Sequence, residues 1–451
     1  MERPIRTEDD LLAIFHDACS TNQLLGVESE KFGVVAATGV PVQYAGVPAS
    51  VATIFEGLCA KFGWRELNEK AGAPVVALER IGVGGRVAQI TLEPGAQLEL
   101  SGEALPDVHG IEREADEHLR EVAAACEGLG IAWVAMGFHP LATQAELSWV
   151  PKDRYSVMRD YFPTRGTRGL DMMRRTATVQ VNLDFSSEAD ALRKLRIGMK
   201  LAPLATAIFA NSPLVEGRAT GRACERACVW LDADPDRTGL LPQLWREGAT
   251  FRDYAEWALD VPMYLFKRGG TVFGNTGQTF RSFWTDGFEG ERPTTEDWKM
   301  HLATLFPETR LKTTIEMRSV DSQPKSTYSA LAALWAGLFY DGAALDAAEA
   351  MVAPFGHDDL VRARADISVR GIGAELGGAK VRELAERLLE IAAGGLGRRA
   401  VLDAEGRDER RYLDSVIGLV SRGESPASAL MARLAGSLDR AAILEAGRAD
   451  A

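Results

Sequence analysis

The chain has 451 residues, 46% of them hydrophobic and 25% charged, with a formal net charge of −13. That size and composition support a large buried core in one or two domains and exclude disorder over the whole chain. The acidic balance lacks the basic footprint of a nucleic-acid binder, so no nucleic acid is expected as a partner. The five cysteines (Cys19, Cys59, Cys126, Cys224 and Cys228) are scattered and odd in number, as reduced thiols are and a disulfide framework is not. The polar, acidic start carries only a short apolar run at 11–15, and the longest apolar run, 331–339, is too short to span a bilayer. The expectation is a cytoplasmic protein with no membrane partner.

Thr7 before Glu8-Asp9-Asp10 predicts a helix N-cap with an acidic first turn, the helix running to about residue 19. Gly26-Val-Glu28-Ser-Glu30-Lys-Phe-Gly33 then alternates apolar and polar residues as a strand does, and 50–62 reads as helix. Segments 75–81, 86–92 and 97–101 read as an antiparallel meander. Its turns are Gly82-Val-Gly-Gly85 and Glu93-Pro94-Gly95-Ala96, the second with Pro and Gly where a type II turn prefers them. Residues 107–129 form an amphipathic helix closed by Gly130, and 131–138 a short strand ending in Gly137-Phe-His139-Pro140. Helix is expected over 152–160 and strand over 176–185. Ser186-Ser187-Glu188 then caps a helix over 188–210. Residues 211–310 are irregular and rich in Gly, Pro, Asp and aromatics, where substrate loops could lie. A fourth alternating strand covers 311–318. After Lys325 the chain is Ala- and Leu-rich and helical, with breaks near Gly342, 354–357, 394–397 and 422–426. The pattern is α+β: an antiparallel sheet, residues 1–345 as one unit and 346–451 as a helical region packed on it.

In a strand, residues i and i+2 share a face. Glu28 therefore pairs with Glu30, Gln97 with Glu99, Gln180 with Asn182, and Glu316 with Arg318. If these strands share one sheet, their carboxylates converge on one surface and cannot all stay ionised without cations. Glu28, Glu30, Glu93, Glu99 and Glu316 could supply oxygen ligands to two or more Mg²⁺; each could equally lie on a solvated sheet face. His139 is either structural or a metal ligand. Arg318 beside Glu316 suits a developing phosphoryl charge or a simple salt bridge. Arg310 and Lys312 share a face at the start of the fourth strand, and Arg175, Arg159 and Arg281 lie nearby; any could hold carboxylate or phosphate. There is no G-x-x-x-x-G-K-[ST], no G-x-G-x-x-G after a strand and no G-x-S-x-G elbow, so any use of ATP proceeds without a P-loop.

Several segments in order, from Gly26-Val-Glu-Ser-Glu-Lys-Phe-Gly33 through Leu92-Glu-Pro-Gly-Ala-Gln-Leu-Glu-Leu-Ser101, Met136-Gly-Phe-His-Pro140 and Gly169-Leu-Asp-Met-Met-Arg-Arg-Thr176, resemble the plant-type glutamate–cysteine ligases. So do Phe209-Ala-Asn-Ser-Pro213, Asp260-Val-Pro-Met-Tyr264 and the segment 310–321. The resemblance implies a glutamine-synthetase-like catalytic fold, an antiparallel sheet curved into a funnel with flanking helices. It implies ATP-dependent joining of the glutamate γ-carboxylate to the cysteine amine, the first step of glutathione synthesis, with Mg²⁺ or Mn²⁺ and ATP as co-substrate. Glu28, Glu30, Glu93, Glu99 and Glu316 look like metal ligands on this basis, with His139 joining Glu28 and Glu316 around a second metal. Arg318 looks like the phosphate-handling arginine, with Glu316 beside it as the other catalytic residue. Arg175, Gln180, Asn182 and Arg159 become candidates for positioning substrate, Tyr264 for a wall of the cysteine pocket, and Arg281, Arg310 and Lys312 for ATP. Plant members carry regulatory cysteine pairs; Asn275 and Ser329 stand at such positions here, so no comparable disulfide switch is expected. The alternatives are a ligase of the same fold with another amine acceptor and a non-catalytic protein that kept the fold. A monomer or homodimer is expected.

Overall fold

Alternation of apolar and polar residues gives the strands two unlike faces, and the sheet built from them separates a greasy side from an ionic one. The computed structural model describes residues 3–68 and 72–451. Nine strands form the main sheet: β1 (Leu25–Val35), β2 (Arg65–Glu66), β3 (Ala77–Ile81), β4 (Val87–Leu92), β5 (Leu98–Ser101), β6 (Ile131–Val134), β7 (Val179–Leu183), β8 (Thr309–Leu311) and β9 (Ile315–Met317). Their order is β8-β9-β7-β1-β5-β4-β3-β2, with β6 paired to the second half of β1. Every pairing is antiparallel. The α+β expectation with an antiparallel sheet holds.

The apolar face of the central strands (Val27, Val179, Val181, Ile315, Met317) is buried against the helices Glu188–Ile208 and Lys325–Phe339. On β3 to β5, Leu78, Ile90, Leu92, Leu98 and Leu100 pack with Ile54, Phe55 and Leu58 of the helix Val51–Phe62 and Val122 of the helix Val108–Ala125. Helices beyond residue 345 enter the same core: Leu388, Ile391 and Leu396 of the helix Val381–Arg399 share it with Leu334 and Leu338. Near the end of the chain, Leu430, Leu434, Ile443 and Leu444 close over Phe32 and Val34 of β1 and Val134 of β6.

Four expectations are corrected. The predicted strand over 311–318 is two strands, because the chain reverses at Lys312–Thr314, where Lys312 N–H donates to the Thr314 carbonyl at 3.0 Å. The turn after β4 is not type II: the positive φ falls on Ala96 (66°), not on Gly95. Ala96 N–H bonds the Glu93 carbonyl at 2.9 Å and Glu93 N–H bonds the Gln97 carbonyl at 3.0 Å, the pattern of a three-residue hairpin loop. Gly95 is needed for close approach instead, since a Cβ there would lie 2.4 Å from the Arg174 carbonyl oxygen. The irregular 211–310 stretch contains the helices Glu225–Trp230, Phe251–Asp260, Phe280–Asp286 and Thr295–Ala303. Finally, Gly394–Gly397 does not break a helix. The helix runs through, and a Cβ on Gly395 would lie 1.9 Å from the Gly337 carbonyl oxygen, so the glycine lets two helices touch backbone to backbone.

Candidate active site

Strand register places the polar side chains in rows across one sheet face. Glu30 of β1 stands opposite Glu99 of β5, which stands opposite Thr91 of β4. Glu28 lies between Gln180 of β7 and Ser101 of β5. Asn182 lies opposite Glu316 of β9, and Glu316 opposite Arg310 of β8. Glu93 follows directly on β4, held by the hairpin loop. Together Glu28, Glu30, Glu93, Gln97, Glu99, Gln180, Arg310 and Arg318 line a cavity of about 360 Å³.

The two ends of this cavity differ in charge. At one end Glu30 is pushed well above the usual carboxylate range by burial, then by Glu93 and Glu99. Glu99 is raised by burial and by Glu93, against a 2.7 Å hydrogen bond donated by Ser101 Oγ. Glu28, whose Oε1 accepts from Asn182 Nδ2 at 3.0 Å, is raised to about 7 by burial and by the charge of Glu316. At the other end burial alone would raise Glu316, but Arg310, Lys312 and Arg318 hold it well below the ordinary value. Arg310 grips both its oxygens at 2.7–2.9 Å, Lys312 Nζ lies 2.9 Å away, and Arg318 contacts Oε1. Arg318 Nη1 also donates to Gln180 Oε1 at 2.6 Å. Arg318 is thus anchored on both sides at the edge of the carboxylate cluster.

Glu30, Glu93 and Glu99 fit a divalent cation: they are oxygen donors lining one cavity, and Glu30 and Glu99 are each raised by burial and by the charge of Glu93, which a cation would relieve. Among the described residues no three His, Cys, Asp or Glu side chains already converge on one point, so an ion would draw these carboxylates together. The expected second centre of Glu28, Glu316 and His139 is corrected. Glu316 is saturated by three cations. His139 is buried against Phe32, its Nδ1 accepts from Leu141 and Ala142 N–H, and burial, then Arg175, push it down to about 3. The carboxylate it senses is Glu146, not Glu28.

Four further candidates fall outside the cavity lining. Arg175 is buried over the Phe138 ring and bonds Glu216 at 3.1 Å. Arg159 is exposed and paired with Asp160 at 3.0 Å. Arg281 is partly exposed and tied to Asp260 and Glu256 at 2.6 and 2.7 Å. Tyr264 lies in the core, with the Arg237 guanidinium 3.9 Å over its ring and Tyr161 and Phe162 on its flanks. Lys312 lies outside the lining, paired with Glu316 at 2.9 Å and acting on Glu28 by its charge. Conversely, the cavity is lined by residues the sequence did not single out: Arg226, Trp230, Phe306, Lys152, Tyr155 and Met172. Arg226 and Trp230 are one helical turn apart on a short helix, so spacing could have paired them, but no strand alternation marked them.

A crystal structure of glutamate–cysteine ligase (gshA) from Francisella tularensis in complex with AMP superposes with a TM-score of 0.55 over 95% of this chain and 88% of that one, at 12% identity. At that identity the likeness is one of fold. Residues 24–445 match the family described as Glutamate-cysteine ligase family 2 (GCS2), and the chain belongs to that family. Similar proteins include the chloroplastic glutamate–cysteine ligase of Arabidopsis thaliana, 39% identical over 94% of this chain and 79% of that protein. Another is the chloroplastic glutamate–cysteine ligase B of Oryza sativa subsp. japonica, 39% identical over 96% of this chain and 84% of that protein. These names overturn the cytoplasmic expectation, since the matching relatives are chloroplastic enzymes. No helix among the described residues is long and apolar enough to cross a membrane.

Proposed function

We propose that this cavity is where the chain performs the family's reaction: ATP-dependent ligation of the glutamate γ-carboxylate to the cysteine amine, giving γ-glutamylcysteine, ADP and phosphate. The observation that carries the reading is the pairing, in one cavity, of three clustered carboxylates, two of them raised by burial and by Glu93, with arginines anchored at its other end. A divalent cation, Mg²⁺ or Mn²⁺, would be held by Glu30, Glu93 and Glu99 with Glu28 adjacent, and when bound would neutralise phosphate oxygens of ATP.

The chain's own residues supply position and charge. Glu316 holds Arg318 in one orientation, and Gln180 fixes it from the neighbouring strand. Arg318 thereby presents its remaining N–H groups to the transferred phosphoryl group without reorganisation. The glutamate γ-carboxylate takes that phosphoryl group, and the cysteine amine then attacks the acyl carbon, breaking its bond to the phosphate oxygen. Arg226, buried and hydrogen-bonded to the Arg318 carbonyl at 2.9 Å, adds a second guanidinium facing the same space. Asn182 orients Glu28 from the adjacent strand. The unit 1–345 carries the chemistry, and the helices of 346–451 back it. The test is ADP release with glutamate and a panel of amines, under Mg²⁺ and under Mn²⁺. Cysteine should give the highest kcat/KM; equal rates with another amine would move the acceptor assignment.

A further inference from the structure

The carboxylate cavity shares a wall with a second, narrow one. Trp230 and Phe306, with ring centroids 5.7 Å apart at 62°, stand between them, and Arg226, Trp230, Phe306 and Arg318 line both. The narrow cleft measures about 30 Å³ against about 360 Å³ for the main cavity. At roughly 10–15 Å³ per water it has room for a small ion or two or three waters, not for a nucleotide or an amino acid. Its lining also includes Thr238, Gly239 and the ion pair of Arg364 with Glu308, both partly exposed. Arg364 belongs to the helix His357–Arg370, outside the sheet that builds the main cavity.

Charge and unmet hydrogen bonding say what the cleft would take. Three arginines face it against one glutamate. Arg226, 3% exposed, has its Nε without a hydrogen-bond partner, and Trp230 Nε1 is likewise a buried donor without one. Both groups can only donate, so they call for an acceptor, and beside three guanidinium groups that acceptor is an anion. Of the three products of the ligation, phosphate alone is compact enough.

We propose that this cleft is a transit site for inorganic phosphate, which leaves past Trp230 and Phe306 and out between Arg364 and Glu308. The inference rests on the ligase reading above. The phosphate freed when the amine displaces it starts beside Arg318, passes to Arg226 Nε and Trp230 Nε1, and reaches solvent at Arg364, with no need to cross the occupied main cavity.

Two variants at the outer end test this, since neither residue belongs to the reacting site. Arg364→Glu puts two carboxylates at the exit, and Glu308→Gln frees Arg364. ADP formation is followed by rapid quench, phosphate release by a fluorescent phosphate sensor, and inhibition by added inorganic phosphate at steady state. Arg364→Glu should slow phosphate release and weaken phosphate inhibition on the order of tenfold, while the first turnover of ADP formation stays at the wild-type rate. Glu308→Gln should strengthen phosphate inhibition severalfold. The double exchange Arg364→Glu with Glu308→Arg should restore release, which also guards against a folding defect in the single variant. Release and inhibition unchanged in both single variants, or ADP formation and phosphate release slowed together, overturns the proposal. A wild-type chain that forms no ADP from glutamate and cysteine overturns the ligase reading, and this inference with it.

Discussion

Replacing Glu316 by glutamine keeps the shape of the side chain and removes the one negative charge shared by Arg310, Lys312 and Arg318. Glu316 is fully buried, and Arg310 and Arg318 are nearly so. Taking one partner out of a buried ionic cluster leaves uncompensated charge, a cost of about 3–5 kcal/mol. At about 2.1 cal/mol/K per residue, a chain of 451 residues unfolds with an entropy near ~0.95 kcal/mol/K, so the melting temperature should fall by about 3–5 °C. That loss is modest enough to leave a folded protein at 25 °C for assay. Arg318 would at the same time lose the anchor that aims it, and ADP release should drop by about 10²-fold or more. The measurements are a thermal melt by calorimetry and ADP release at saturating substrates. A variant that melts at the wild-type temperature and turns over at the wild-type rate would refute both the electrostatic account of the cluster and the positioning of Arg318.

Glu30→Gln should act in the opposite sense on the resting protein: with chelator present it relieves repulsion among Glu30, Glu93 and Glu99 and raises the melting temperature, while the divalent ion then stabilises it less than wild type. Equal metal-induced shifts in the two proteins would remove Glu30 from the metal set. Gly95→Ala should cost about 1–3 kcal/mol, because its Cβ would meet the Arg174 carbonyl at 2.4 Å and push the loop that holds Glu93; an unchanged denaturant midpoint would contradict the close approach. Glu114 gives a pH signature. Burial raises it from 4.5 to about 7, so the folded state prefers its protonated form. Its contribution is fully present below about pH 4.5, fades as pH rises through 7, and amounts to roughly 3 kcal/mol at most. Glu114→Gln should therefore flatten the loss of stability between pH 5 and 8, as urea melts across that window will show.

The period-two pattern of Glu28 and Glu30, of Gln97 and Glu99, and of Gln180 and Asn182 was enough to place these side chains on one face, because strand geometry leaves no other choice. What the pattern could not carry was anything decided across the chain. Lys312–Thr314 reverses direction without glycine or proline, so Arg310 looked like a neighbour of Lys312 when its true partner is Glu316 across the hairpin. The glycines at 394–397 looked like a break, yet one of them serves a contact with Gly337, which only the packed helices reveal. Arg159, Arg281 and Tyr264 carry suitable chemistry, but their partners, Asp160, Asp260 and Arg237, turn them elsewhere. Arg226 entered the site from a six-residue helix, with no periodicity long enough to announce it.

Strand β1 serves two neighbourhoods. Its first half carries Glu28 and Glu30, and its second half, Phe32 to Val35, pairs with β6. That outer half is covered by Leu430, Leu434, Ile443 and Leu444, and β6 is held by Ala135 N–H to the Gly447 carbonyl and Ala449 N–H to the Trp133 carbonyl, both at 3.0 Å. Residues some four hundred positions apart must therefore meet before the outer half of the strand bearing the carboxylates is covered. Contacts of such sequence separation form late and slowly. A ribosome-bound chain still lacking residues 430–449 would hold most of the sheet but leave this strand half covered, so the support of the ion-binding face should be complete only once those residues have emerged.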